Sequence, residues 1–473
     1  MLAMAVSLRA QSPASELRAA VADIERLPAA TRPGVRYLSL YAVSPARRAQ
    51  TRQITSYTLN ALSRTRAITT PTEVTTTLLR FSISNYVNDR TEFDAWSAAW
   101  EKLVEADAYW HQVTGVGGQG SGVSRQAAFG RVSALTPDPG PLTPVTIDGH
   151  WLDPIDVAKL RAYSGSGGAI LRADDFVGRA TATPHYYAFA GVPATEAEFL
   201  KSLGVDAATI DRLRANAGAN LIISGVTQKP RRIVWSQGPL GGVYETLDVT
   251  AVDAERDPIR RPLSAGGVNL KYDAGEWFAV APNGLWRVAL YDSAGKLQQS
   301  VPDKIAKDTS DPHGDGIVTP MVSCVRCHTE SGLRPFRDDQ TRLFSTGRVD
   351  LRSYDPTIVQ RVVEFYDEPR LQRQMAFDRE TYTAAVERAA HLKPEELAAA
   401  LATMVREFAY LPVTREQAAR EIGVSENQLA AALSASHDPI LLMLVEGRPV
   451  LRGQWESSFA EAALLAKKTN LPK

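Results

Sequence analysis

Three apolar runs, Val268-Asn-Leu-Lys-Tyr272, Trp277-Phe-Ala-Val-Ala281 and Leu285-Trp-Arg-Val-Ala-Leu-Tyr291, are cut apart by turn-forming clusters. The cuts fall at Asp273-Ala-Gly275 and Pro282-Asn-Gly284, and Asp292-Ser-Ala-Gly295 closes the last run. Short runs punctuated in this way predict hairpins, because Gly and Asn accept the backbone angles of tight turns. From 222 to 300 the chain therefore reads as an antiparallel meander.

Upstream, Leu17, Val21, Ile24 and Leu27 recur at helical spacing within 13–28. Arg36-Tyr-Leu-Ser-Leu-Tyr41 alternates as a strand does, and a helix is expected near 45–64. Thr72 to Ile83 is rich in β-branched residues and reads as one further strand. Asp89 to Ala106 places Phe93, Trp96, Trp100 and Leu103 on one helical face. Residues 114–145 are a Gly/Ser/Pro-rich loop, followed by short helices near 153–163, 195–203 and 207–216. Downstream, 301–345 reads as a loop and 355–466 as almost all helix. The expected fold class is α+β, with an N-terminal α/β region, the central antiparallel meander and a mainly helical C-terminal region. The implied divisions are 1–10, 11–112, 113–220, 221–300 and 301–473.

The chain has 473 residues with 53 Lys and Arg against 53 Asp and Glu. Zero net charge argues against a broad nucleic-acid or anionic-membrane surface, which needs a basic excess. No stretch reaches the ~18 consecutive apolar residues of a membrane span, so the chain is not expected to be an integral membrane protein. Met1-Leu-Ala-Met-Ala-Val-Ser-Leu-Arg-Ala10 looks like the end of a signal peptide, though it lacks a basic start.

Both cysteines fall in one five-residue window, Cys324-Val-Arg-Cys327-His328. C-x-x-C-H is the attachment pattern for c-type haem. Two thiols at this spacing meet the two vinyl groups on one porphyrin edge, and the following His lies beneath the iron. The expectation is one covalent haem c, loop-bound, attached through Cys324 and Cys327 with His328 as proximal iron ligand. A structural zinc site wants four Cys or His ligands, and the chain has no second cysteine pair. A thioredoxin-like dithiol wants the motif to open a helix in a βαβ setting, whereas Thr309 to Pro320 is Gly/Pro/Asp-rich. Haem c is attached outside the bacterial cytoplasm, so a periplasmic or otherwise exported location is expected.

The segment Glu276-Trp-Phe-Ala-Val-Ala-Pro-Asn-Gly-Leu285, followed by Val322-Ser-Cys-Val-Arg-Cys-His328-Thr, resembles uncharacterised monohaem c-type cytochrome proteins of planctomycetes and myxobacteria. In those a strand pair around FSLPNGLQ precedes GVSCxxCH. Arg36–Tyr41, Leu171-Arg-Ala-Asp-Asp-Phe176 and Ser224-Gly-Val226 are similar too. The resemblance implies haem binding through Cys324, Cys327 and His328, and electron transfer. Where such proteins often carry Asn-Gly before Val-Ser-Cys, this chain has Pro320-Met321.

An electron-transfer haem usually has a second protein ligand, Met or His. Met321 lies only three residues before Cys324, so reaching the opposite haem face would be awkward, and Met404 and Met443 sit in core-like apolar stripes. His313, His391 and His437 stay in the list. Met375, flanked by Arg373, Gln374 and Asp378, is less plainly a core residue and ranks first as distal ligand, with an open or water-bound iron next. Electron transfer to a redox partner protein is the leading expectation. A haem oxidase or peroxidase with an open iron, and a haem-based sensor or binding module, remain as alternatives.

Two further patterns carry bland readings. Gly115-Val-Gly-Gly-Gln-Gly120 matches G-x-G-x-x-G but neither follows a strand nor opens a helix. Residues 415–433 resemble a helix-turn-helix, yet Ser425 to Ser436 has no Lys or Arg for phosphates, so a helical corner capped by Ser425 is expected and nucleic acid is not.

Overall fold

A computed structural model describes residues 13–107, 153–210, 220–223, 230–253, 255–256, 271–300, 318, 320–329, 356–357, 369–409 and 411–470. The signal-like segment 1–10, the loop 114–145 with Gly115–Gly120, and His313 lie outside the described residues.

The fold is α+β. Strands β1 (Val35–Ser39), β2 (Thr72–Glu73), β3 (Leu78–Ser82) and β4 (Ile170–Arg172) form a mixed sheet in the order β2-β3-β1-β4. β1 runs antiparallel to β3 and parallel to β4, so Leu38 lies between Leu79 and Leu171. All five residues of β1 are buried, because the helices Pro13–Glu25 and Ala173–Ala180 pack on it. The single strand expected over 72–83 is instead a hairpin of β2 and β3. Thr75-Thr-Thr77 turns the chain: the Thr75 hydroxyl accepts from the Thr77 N–H, and the Val74 N–H reaches the Leu78 carbonyl.

The helix Arg90–Ala106 begins at Asp89, whose side chain accepts from the Glu92 N–H. Its apolar face carries Trp96 and Trp100 into an aromatic cluster with Phe81, Tyr86 and Phe189. The Trp100 indole N–H donates to the Gly168 carbonyl at 2.8 Å.

The antiparallel meander is present through the Trp277–Ala281 and Leu285–Tyr291 runs, while most of the Val268–Tyr272 run lies outside the described residues. Strands β5 (Asn220–Ile223), β6 (Pro230–Gln237), β7 (Gly242–Asp248), β8 (Ala274–Val280) and β9 (Trp286–Asp292) pair consecutively and antiparallel. Gly284 (φ 88°) and Gly295 (φ 72°) form the turns after β8 and β9. The turn expected at Asp273-Ala-Gly275 is absent, since Ala274 and Gly275 already belong to β8. A Cβ on Gly275 would come within 2.8 Å of a Glu245 carboxylate oxygen.

Beyond 369 the chain is helical as expected, in Pro369–Ala390, Pro394–Ala409, Arg415–Ile422, Glu426–Leu433, Pro439–Val445 and Arg452–Asn470. One apolar core runs from Leu17 through both sheets to Val405, and a second joins Val413 to Ala466. The helix-turn-helix-like segment is a helical corner. Gly423 (φ 83°) ends the first helix, and Ser425 and Gln428 cap the second reciprocally.

The largest correction concerns the cysteine motif. It is not in a loop but on a helix, Val322–Thr329.

Candidate functional site

The floor of the site is one face of the meander. Along β8, Glu276, Phe278 and Val280 share a face, and Trp277 and Ala279 point the other way. Register places Thr246 opposite Glu276 and Tyr244 opposite Phe278 on that face. Charged side chains interrupt the apolar surface around Glu276. The Arg231 guanidinium pairs with Asp248, and its Nη1 lies 3.4 Å from Glu276 Oε2.

The motif helix lies over this face. Pro320 and Met321 lead into it, with Met321 in the left-handed region at φ 73°. The Val325 N–H then closes the first turn on the Met321 carbonyl at 2.7 Å. Val322 and Val325 are buried with Cys324, and the helix packs on Pro394–Ala409. Cys324 is 3% exposed, and its Sγ donates to Glu276 Oε1 at 3.2 Å. Cys327 and His328 occupy positions i+3 and i+4 of the same helix. At 3.6 residues per turn the three backbone positions fall within an arc of about 100°.

Met375 lies on the helix Pro369–Ala390, where Leu371, Met375, Asp378 and Tyr382 recur at helical spacing and are all buried. Phe377, off that stripe, is 59% exposed. The Asp378 carboxylate accepts from the Gly242 N–H at 2.9 Å and from the Tyr244 hydroxyl, and the Tyr382 ring sits 5.8 Å from Trp286. Burial raises the Asp378 carboxyl above its ordinary range, opposed by its hydrogen bonds to Tyr244, Gly242 and Gln374. Tyr244 shares the Glu276 face of the meander, and Trp286, opposite Val280, does too. The stripe holding Met375 therefore covers the same sheet face as Cys324. Met375 itself is 2% exposed within the first core, so its polar neighbours do not set it apart from the apolar stripe. Those neighbours either sit off the stripe or, like Asp378, are buried with it.

The other candidates separate by burial. Met321 and Met404 are buried, and Met443 is half-buried in the second core. His391 is exposed and left-handed (φ 54°) where the helix carrying Met375 ends, 16 residues or about 24 Å along the helix axis from Met375. His437 is exposed. Sequence reasoning missed Glu276, Arg231 and Asp248 as parts of the site. The available signal was an acid inside an apolar strand, Gly275-Glu276-Trp277.

Among the described residues, no helix is long and apolar enough to cross a membrane. No family model, no curated protein and no solved structure matches the chain.

Proposed function

We propose that this chain is an exported single-haem c-type cytochrome that transfers electrons to a partner protein. One observation carries the reading: the only two cysteines and the next histidine form C-x-x-C-H on one helix, at positions i, i+3 and i+4. That spacing suits two thioether links to one porphyrin edge with His328 as proximal iron ligand. Bound haem supplies a one-electron ferric–ferrous couple. Around it, the chain's own residues have plain tasks. Cys324 and Cys327 hold the edge, His328 ligates, and Val322, Val325 and the stripe around Met375 exclude water. Met375, on the same sheet face as Cys324, is the proposed distal ligand.

A dithiol–disulfide couple is a second reading, because Cys324 lies in the first turn of a helix. The surroundings oppose it. Reactive thiols sit in electropositive, partly exposed places that favour the thiolate. Cys324 is buried and gives its hydrogen to a carboxylate, which favours the thiol.

The test is expression with export and cytochrome c maturation. The haem should stay on the chain under denaturing conditions and give a pyridine haemochrome spectrum typical of thioether-linked haem. Haem extracted by acidified organic solvent, or zinc in its place, overturns the proposal. A six-coordinate spectrum favours electron transfer, and an open iron favours the oxidase, peroxidase or sensor alternatives.

A further inference from the structure

Glu276 is a buried carboxylate with a specific address. It rises from the middle of β8, faces the motif helix, and accepts the Cys324 Sγ–H at 3.2 Å through Oε1. Its other oxygen, Oε2, lies 3.4 Å from Arg231, which also pairs with Asp248. Among the described residues, this cluster joins two carboxylates and one guanidinium, on a sheet face that also carries Thr246 and Tyr244. Strand pairing fixes Glu276 in register: it lies opposite Thr246 on β7 and Leu290 on β9.

Resting on the haem reading above, we propose that Glu276 is a positioning residue that aims the Cys324 sulfur for attachment and then holds the haem potential down. Attachment adds the thiol across a vinyl group: the sulfur–carbon bond forms at the inner vinyl carbon, and the thiol hydrogen ends on the outer one. No electrons are gained or lost overall, so no further reactant is needed. After attachment the sulfur would have no hydrogen to donate, and Glu276 would place a negative charge beside the thioether. In a buried, low-dielectric setting, such charge favours the ferric over the ferrous state. Arg231 keeps the carboxylate in place, as partners of a buried charge do.

Two measurements test this, one without haem. In haem-free protein the infrared S–H stretch of Cys324, identified by its loss in Cys324→Ser, should lie at the low frequency of a strongly hydrogen-bonded thiol. It should shift upward in Glu276→Ala. In haem-loaded protein, Glu276→Gln keeps the shape and removes the charge, so the reduction potential should rise while the absorption spectrum stays that of the parent. Haem-loaded Glu276→Gln with the parent's potential, or an S–H band unmoved in Glu276→Ala, overturns the role of Glu276 and leaves the haem reading standing. Parent protein that takes up no covalent haem overturns both.

Discussion

The Nη1 atom of Arg452 lies 2.8 and 2.9 Å from the two carboxylate oxygens of Glu421, a residue with no solvent exposure. Arg172, from β4 in the first core, approaches the same carboxylate at 3.2 Å, and the Trp455 indole N–H donates to it at 2.6 Å. The Tyr41 hydroxyl bonds the Glu421 backbone carbonyl. One acid thus joins the C-terminal helices to the N-terminal sheet.

Removing that acid leaves two buried guanidinium groups facing each other with reduced compensation. Glu421→Ala should cost about 3–5 kcal/mol, the usual loss when one partner of a buried charge pair is removed. Urea unfolding followed by circular dichroism checks it. A loss within experimental error of zero would mean that water reaches the cluster.

Much of this architecture is legible in the sequence, and the gaps have physical causes. Long helices such as Arg90–Ala106 announce themselves through Trp96, Trp100 and Leu103, whose burial needs the helical period. β4 has only Ile170 to Arg172, too short to show alternation, and is made by pairing with β1 across more than 100 intervening residues. The motif helix has only Val322 and Val325 as an apolar signal, and its existence depends on packing against Pro394–Ala409. The C-x-x-C-H pattern itself is local and so was readable. Glu276 became part of the site only through the fold, because 48 residues separate it from Cys324.

Met321 offers a test of backbone strain. Its φ of 73° is costly for a residue with a Cβ, by roughly 1–2 kcal/mol. Both Met321→Ala and Met321→Gly lose the buried side chain, but only Gly relieves the strain. Met321→Gly should therefore be more stable than Met321→Ala by about 1 kcal/mol, the reverse of the order in ordinary helix positions. Chemical denaturation of the pair decides it, and Ala more stable than Gly would rule out the strained geometry.

Buried Glu16 and half-buried His185 predict opposing pH effects. Burial raises the Glu16 carboxyl to about 7, against lowering by Ser39, Thr77 and Arg48. The folded state then holds the proton more tightly than the unfolded state, so this contribution is complete below about 4.5 and is lost as pH rises through about 7. Burial lowers His185 to about 4, helped by Arg179 and Lys102 and opposed by Asp175. Its contribution is present above about 6.5 and is lost as pH falls through about 4. The two slopes overlap and partly cancel between these limits. Glu16→Gln should leave stability rising more steeply with pH across that window, and His185→Gln should leave it falling more steeply. Melting temperatures from pH 4 to pH 8, a range set by these two values, test both, and parallel curves for parent and variants would refute the assignment.

The distal ligand can be tested without disturbing the fold. Because Met375 is buried, Met375→Ala makes a cavity costing about 2–5 kcal/mol whether or not the sulfur binds iron. Met404→Ala should cost a similar amount, so stability cannot tell a ligand from a core residue. Met375→Leu can, since Leu fills nearly the same volume at a cost usually under about 1.5 kcal/mol but offers no sulfur. If Met375 is the ligand, haem-loaded Met375→Leu should stay folded, lose the weak red-end absorption band of a thioether-bound ferric iron, bind carbon monoxide when reduced, and shift to lower potential. Met404→Leu should change none of these. A Met375→Leu spectrum identical to the parent's excludes Met375 as the ligand. The search then moves to His313 and His391, of which His391 stands exposed at the far end of the same helix.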